Sequence, residues 1–235
     1  MAHVTDEIFR RDAYARSVAA RVVAADQTGI ELDRSVFYPE GGGQPGDRGV
    51  LQCGDLAIPI VDTRKDERGR LLHLPAAGAQ LPRPDAQVLA IIDWEYRYRH
   101  MRMHTCLHLL CALVPHGVTG GAIGQDKGRL DFAVPEVPDK ARLEQELTRL
   151  IAGDHAVSYR FISDTELDAA GELVRTLSVQ PPRGQGQVRL VEVAGVDLQP
   201  CGGTHVARTG EIGRVRVGKI ESKGKQNRRI NIHLD

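Results

Sequence analysis

Aromatic residues are scarce in this chain: Phe, Trp and Tyr make up 4% of its 235 residues, with a single Trp. Its core must therefore rest on Leu, Val, Ile and Ala. Little material is left for a platform of rings that would stack unpaired bases, so any nucleic acid would be read by shape and backbone. No run approaches 18 apolar residues, which excludes a membrane-spanning helix. The opening stretch, MAHVTDEIFRRDAYAR, has no apolar centre and carries early acids, so no secretory signal is expected. Net charge is missing too. Lys plus Arg and Asp plus Glu each number 31, which excludes attachment to nucleic acid by bulk charge. Only four cysteines occur, Cys53, Cys106, Cys111 and Cys201. They form no framework of paired spacings, which suits a reducing cytoplasm better than a disulfide scaffold. With 41% hydrophobic and 26% charged residues the composition is that of an ordinary globular protein.

What is present changes character near residue 88. Before it, Gly and Pro recur about every 8 to 12 residues between short apolar or alternating runs, the pattern of a small all-β unit. Strands are expected near 50–61 and 71–74 and along 29–38, whereas 18–25 (VAARVVAA) reads as strand or short helix. Residues 75–84 read as a linker or long loop. Beyond it, 87–92 reads as a strand, 97–113 as a helix and 129–134 as a strand. A second helix follows Asp139, its apolar stripe formed by Leu143, Leu147, Leu150 and Ile151 and its end marked by Gly153. Strands at 157–162, 188–193, 212–220 and 229–234 and a short helix at 164–173 complete the pattern. The fold class is α+β, with helices on a mainly antiparallel sheet, and the domains expected are 1–88 and 89–235.

Two half-motifs stand out. His104-Thr-Cys-Leu-His108 sets two imidazoles four residues apart, on one face of a helix and one turn from each other. Cys201-Gly-Gly-Thr-His205 supplies a thiolate and a third imidazole across a tight turn. Either half alone has an ordinary reading: helix surface for HxxxH, a small buried hydrophobe for a lone cysteine. Together they make three N/S ligands with a possible fourth, a set suited to tetrahedral zinc. Zinc peptidases of the HExxH type carry a glutamate as general base just after the first histidine. Thr105 stands there instead, and the HxE and PCxxC signature of zinc deaminases is absent.

The segments HTCLHLL, CGGTHV, FYPEGGGQPGDRG and SKGKQNRRI, together with DWEYRYRHMRMHT, resemble the AlaX family of free-standing relatives of the alanyl-tRNA synthetase editing domain. The likeness runs along essentially the whole chain and is to the medium-sized form. Asp235 directly follows the last strand candidate, so the extra C-terminal domain of the longer form is not expected. The resemblance implies an N-terminal β-barrel-like domain followed by an α/β editing domain. It implies hydrolysis of the ester in wrongly charged alanine tRNA, chiefly the seryl and secondarily the glycyl form. It also implies zinc at His104, His108, Cys201 and His205. A synthetase pocket separates alanine from serine or glycine by only about 1 to 3 kcal/mol, which is why a second hydrolytic site is needed. Three ligands would leave a fourth position open; four would require a fifth position or displacement. Both arrangements remain open here, as do a zinc hydrolase of another small ester or amide and a non-catalytic zinc or tRNA-binding module.

Other candidates follow from the same segments. Gln125, in GAIGQDKGRLDF, matches a glutamine of the synthetase relatives and is expected to contact substrate. Ser35 stands where relatives often have threonine, and its hydroxyl is expected to distinguish serine from alanine. Gly41, Gly42 and Gly43 let backbone approach a ligand closely, Glu40 and Gln44 flank them, and Asp47 reads as a turn residue. Between Arg208 and Arg229 eight basic residues face two acids, a net of +6, whereas 139–172 holds eight acids and four bases. Zero net charge is thus a cancellation. Lys219, Lys223, Lys225, Arg228 and Arg229, with Arg97, Arg99 and Arg102 ahead of the metal helix, are the candidate partners of tRNA phosphates.

Overall fold

The computed structural model describes residues 4–169 and 187–235. It is α+β, with mainly antiparallel sheets, and divides into two compact units, 1–98 and 99–235. No helix among the described residues is long and apolar enough to cross a membrane.

The first unit contains β1 (Asp6–Glu7), β2 (Ser17–Asp26), β3 (Gly29–Leu32), β4 (Arg34–Ser35), β5 (Gly49–Cys53), β6 (Leu56–Lys65), β7 (Leu71–Pro75) and β8 (Gln87–Ile92). β1 and β4 pair as a short parallel ribbon, and the other six close a barrel in the order β2-β3-β7-β6-β5-β8. The stretch 18–25 is therefore strand. Closure removes the exposed edges of that sheet. β8 shows the two-residue period plainly: Val88, Ala90 and Ile92 point inward while Gln87, Leu89 and Ile91 are exposed. Read from the sequence as straddling the domain boundary, β8 is a stave of the barrel, paired with β2 and β5. Inward-facing Val22, Ile30, Leu32, Leu51, Ile58 and Val88 fill the barrel with Phe37, as the shortage of aromatics demands. A Cβ at Gly49 would run into the Ile91 carbonyl, so only glycine lets β5 lie so close to β8.

Helix α1 (Trp94–Leu113) starts three residues before its expected position. Asp93 caps it, accepting the Tyr96 N–H on its side chain at 3.1 Å and the Arg97 N–H on its carbonyl at 3.0 Å. Met101, Met103, Cys106, Leu107, Leu109 and Leu110 are all buried, so α1 is enclosed on most sides rather than two-faced.

In the second unit α1 is followed by β9 (Val118–Ala122), β10 (Lys127–Phe132), α2 (Lys140–Ala152), β11 (Val157–Ile162), α3 (Asp164–Ala169), β12 (Val188–Val193), β13 (Asp197–Pro200), β14 (Val215–Ser222) and β15 (Arg228–Leu234). Two antiparallel sheets result, β14-β15-β10-β9 and β11-β12-β13. α2 is as the sequence predicts: Asp139 caps it through the Ala141 and Arg142 N–H groups, and Leu143, Leu147, Leu150 and Ile151 are buried. Residues 170–173 of the expected short helix lie outside the described residues. β9 and β13 carry no clear strand signal of their own. β9 is rich in glycine and β13 is four residues long, and each gains its structure by pairing with a neighbour.

Candidate metal centre

Helix α1 and the loop after β13 bring the two half-motifs together. His104 and His108, one turn apart on α1, meet Cys201 and His205, and the four donor atoms all lie within 4.8 Å of one another. Cys201 Sγ is 3.4 Å from His104 Nε2 and 3.3 Å from His205 Nε2. Metal bonds of about 2.0 to 2.3 Å at a tetrahedral angle separate neighbouring ligand atoms by roughly 3.5 Å. The donor set and its spacing therefore fit a divalent metal ion of the zinc type, and these four residues could hold one. The three histidines are buried, so a cation here would have protein ligands around it rather than bulk water.

The supports of the cluster come from elements that carry no motif. Arg189 on β12 donates through Nη1 to the Cys201 carbonyl at 3.0 Å and to the Gly203 carbonyl at 2.9 Å, while the Cys201 N–H returns a bond to the Arg189 carbonyl at 3.0 Å. One buried arginine thus shapes the CGGTH loop. Asp197 on β13 places Oδ2 3.2 Å from His108 Nδ1, an ion-pair distance at which the ring N–H is not aligned for a full hydrogen bond. The same oxygen accepts from Gln199 Nε2 at 2.8 Å. A carboxylate behind a ligating imidazole fixes the ring and raises its basicity. Polar residues at alternate positions of the strand entering CGGTH were the available signal for Asp197 and Gln199.

The cluster's electrostatics favour the ligand forms of Cys201 and His205 and the charged form of His108. Burial opposes the Cys201 thiolate, but His104 and His205 outweigh it and hold the thiol well below its ordinary range. Burial and the nearby charge of His104 keep His205 well below the ordinary histidine value. Burial also works against a charged His108, yet Asp197 and Cys201 raise it to about 9. Thiolate and neutral imidazole are the metal-binding states, so two of the donors are ready without deprotonation.

The remaining candidates divide. Gln125 lies half-buried in the turn between β9 and β10, and Gly42 and Gly43 are exposed at a tight turn. Both glycines have left-handed backbone (φ 59° and 81°), with Gly41 and Gln44 exchanging N–H···O bonds of 3.0 Å across them. Gln44 is buried, as is Asp47. Ser35 is fully buried in the first unit. Its hydroxyl donates to His73 Nε2 at 2.8 Å and accepts the Phe37 N–H at 3.0 Å, so it holds the barrel wall. Arg97 is likewise buried, its guanidinium bound to Asp47 and to the Ala13 and Val36 carbonyls, which leaves none of it facing solvent for a phosphate. Arg102 donates twice to the Ile212 carbonyl, and Arg99 pairs with Asp126. Arg228 braces the β14–β15 turn through Gly224 and Asn227, and Arg229 pairs with Asp131. Lys219, Lys223 and Lys225 project into solvent.

Comparison with known proteins matches this picture. Residues 7–96 match the family described as class II (A) tRNA synthetases, and residues 188–231 the second additional domain of threonyl and alanyl tRNA synthetases. The alanyl-tRNA editing protein AlaX-M of Methanosarcina acetivorans is 34% identical over 243 residues, covering 98% of this chain and 99% of the relative. AlaX-M of Pyrococcus horikoshii is 31% identical over 242 residues and the whole of both chains. AlaX-L of the same organism is 32% identical over 236 residues, covering 97% of this chain and 57% of the relative. The chain belongs to the AlaX family of alanyl-tRNA editing proteins.

Proposed function

We propose that this protein is an aminoacyl-tRNA deacylase acting in trans on alanine tRNA that carries the wrong amino acid, chiefly serine and secondarily glycine. The observation that carries this reading is the convergence of His104, His108, Cys201 and His205 in a chain related to the editing proteins along its full length. Zinc is the metal the N₃S donor set suits, and when bound it would supply a Lewis acid to polarise the ester carbonyl. The protein's part is positioning. Arg189 holds the ligand loop through the Cys201 and Gly203 carbonyls, and Asp197 stands behind the His108 ring. Gln125 offers an amide donor and acceptor to the aminoacyl group. The turn at Gly42 and Gly43 presents bare backbone to the tRNA end. Lys219, Lys223 and Lys225 give a localised positive face for tRNA phosphates, which a chain of zero net charge needs in one place rather than everywhere.

The test is release of serine from seryl-tRNA for alanine, comparing zinc-loaded and chelated protein and the Cys201→Ala variant. Release by the loaded wild type, lost in the other two, is expected. No release above buffer by the loaded protein refutes the reading.

A further inference from the structure

The position that carries the general base in HExxH peptidases is filled here by Thr105, a residue with no acid–base chemistry at neutral pH. It is fully buried in the middle of α1, and three polar groups surround its hydroxyl. Thr105 Oγ1 is 3.0 Å from the Met101 carbonyl, one turn back on the helix. The Val206 N–H donates to it at 3.2 Å, and His205 Nδ1 lies 3.1 Å away. A hydroxyl has one proton and two lone pairs. The Met101 carbonyl can only accept, so the proton points there, the usual back-bond of a helical threonine. One lone pair then takes the Val206 N–H, and the other is filled when His205 Nδ1 carries a hydrogen. With Nδ1 protonated, a neutral His205 has its remaining lone pair on Nε2, the nitrogen 3.3 Å from Cys201 Sγ.

We propose that Thr105 is a positioning residue that sets the tautomer of His205, making its Nε2 the fourth donor of the centre. Through Val206 the same hydroxyl ties the CGGTH loop to the HTCLH helix, so one side chain both joins the two half-motifs and orients a ligand. This inference rests on the metal reading above. It adds that a hydroxyl, not a carboxylate, orients His205.

The decisive measurement is zinc affinity by competition with a chromophoric chelator, for wild type, Thr105→Val and Thr105→Ser, with imidazole ¹⁵N NMR of the wild type. Thr105→Val keeps the shape and removes the hydroxyl; Thr105→Ser restores it. Losing an orienting partner of a ligand costs about 10- to 100-fold in metal affinity. That loss is expected in Thr105→Val, with recovery to within a few-fold of wild type in Thr105→Ser. The spectra are expected to show His205 protonated at Nδ1 and bound through Nε2, a readout that needs no variant to fold. Wild-type affinity in Thr105→Val, or His205 bound through Nδ1 or not at all, overturns the role of Thr105 and leaves the metal centre standing. Failure of the wild type to bind zinc overturns the metal reading, and the role of Thr105 with it.

Discussion

Arg97 Nε donates at 2.9 Å to each carboxylate oxygen of Asp47, a residue 50 positions away, and both side chains are buried. Nη1 donates to the Ala13 carbonyl at 3.0 Å, and Nη2 to the Val36 carbonyl at 2.6 Å and again to Asp47 Oδ2. Asp47 in turn accepts the Tyr38 N–H at 2.6 Å, so the pair ties the start of α1 to the chain on both sides of the glycine turn. Removing one partner leaves a buried charge without compensation. Arg97→Ala or Asp47→Ala is expected to lower stability by about 3 to 5 kcal/mol. Arg97→Lys, which cannot match the forked geometry, should recover little of it. Urea denaturation of the three variants measures this.

His73 makes the first unit sensitive to acid. Burial pushes it down to about 4, against 6.5 for an ordinary histidine. As pH falls the unfolded chain takes up its proton first, so stability declines from about pH 6.5 toward pH 4. Between pH 8 and pH 5 the loss attributable to this residue is about 2 kcal/mol. Denaturation midpoints across that range should fall more steeply in wild type than in His73→Gln.

Metal should stabilise the second unit by mass action. Zinc at about 100 times its dissociation constant is expected to add about 2.7 kcal/mol, removed by a chelator. In His104→Ala the melting temperature should barely respond to zinc. A response of wild-type size would show that the ion binds elsewhere.

Lys223 and Lys225 lie exposed on the turn between β14 and β15. In Lys223→Glu/Lys225→Glu, tRNA binding should weaken, and the slope of log affinity against log salt should flatten by about 1 for each phosphate that is no longer neutralised. Arg97 variants that remain folded should leave that slope unchanged, because Arg97 has no solvent-facing charge.

Asp139 caps α2 through two N–H groups, with bonds of 2.9 and 3.2 Å. Asp139→Ala is expected to cost about 1 kcal/mol, and Asp139→Asn much less, as read by thermal unfolding.

Features that depend on local spacing are legible in the chain before it folds. The i, i+4 histidines, the Cys-Gly-Gly-Thr-His turn, the capped amphipathic α2 and the inside–outside alternation of β8 are all written in short stretches, because helix and strand periods act over a few residues. Family membership is legible the same way, in four motifs. Which polar residues have their hydrogen bonds filled emerges only once distant segments meet. Arg97 reads as a basic residue beside other arginines, yet Asp47 buries it. Ser35 reads as a candidate specificity hydroxyl, yet His73 and Phe37 occupy it. Thr105 reads as a missing base, yet it lies against His205 from 100 positions away. A hydroxyl or guanidinium looks the same in sequence whether it faces water or a partner. Its role is set by desolvation and by which donor or acceptor the folded chain brings within about 3 Å.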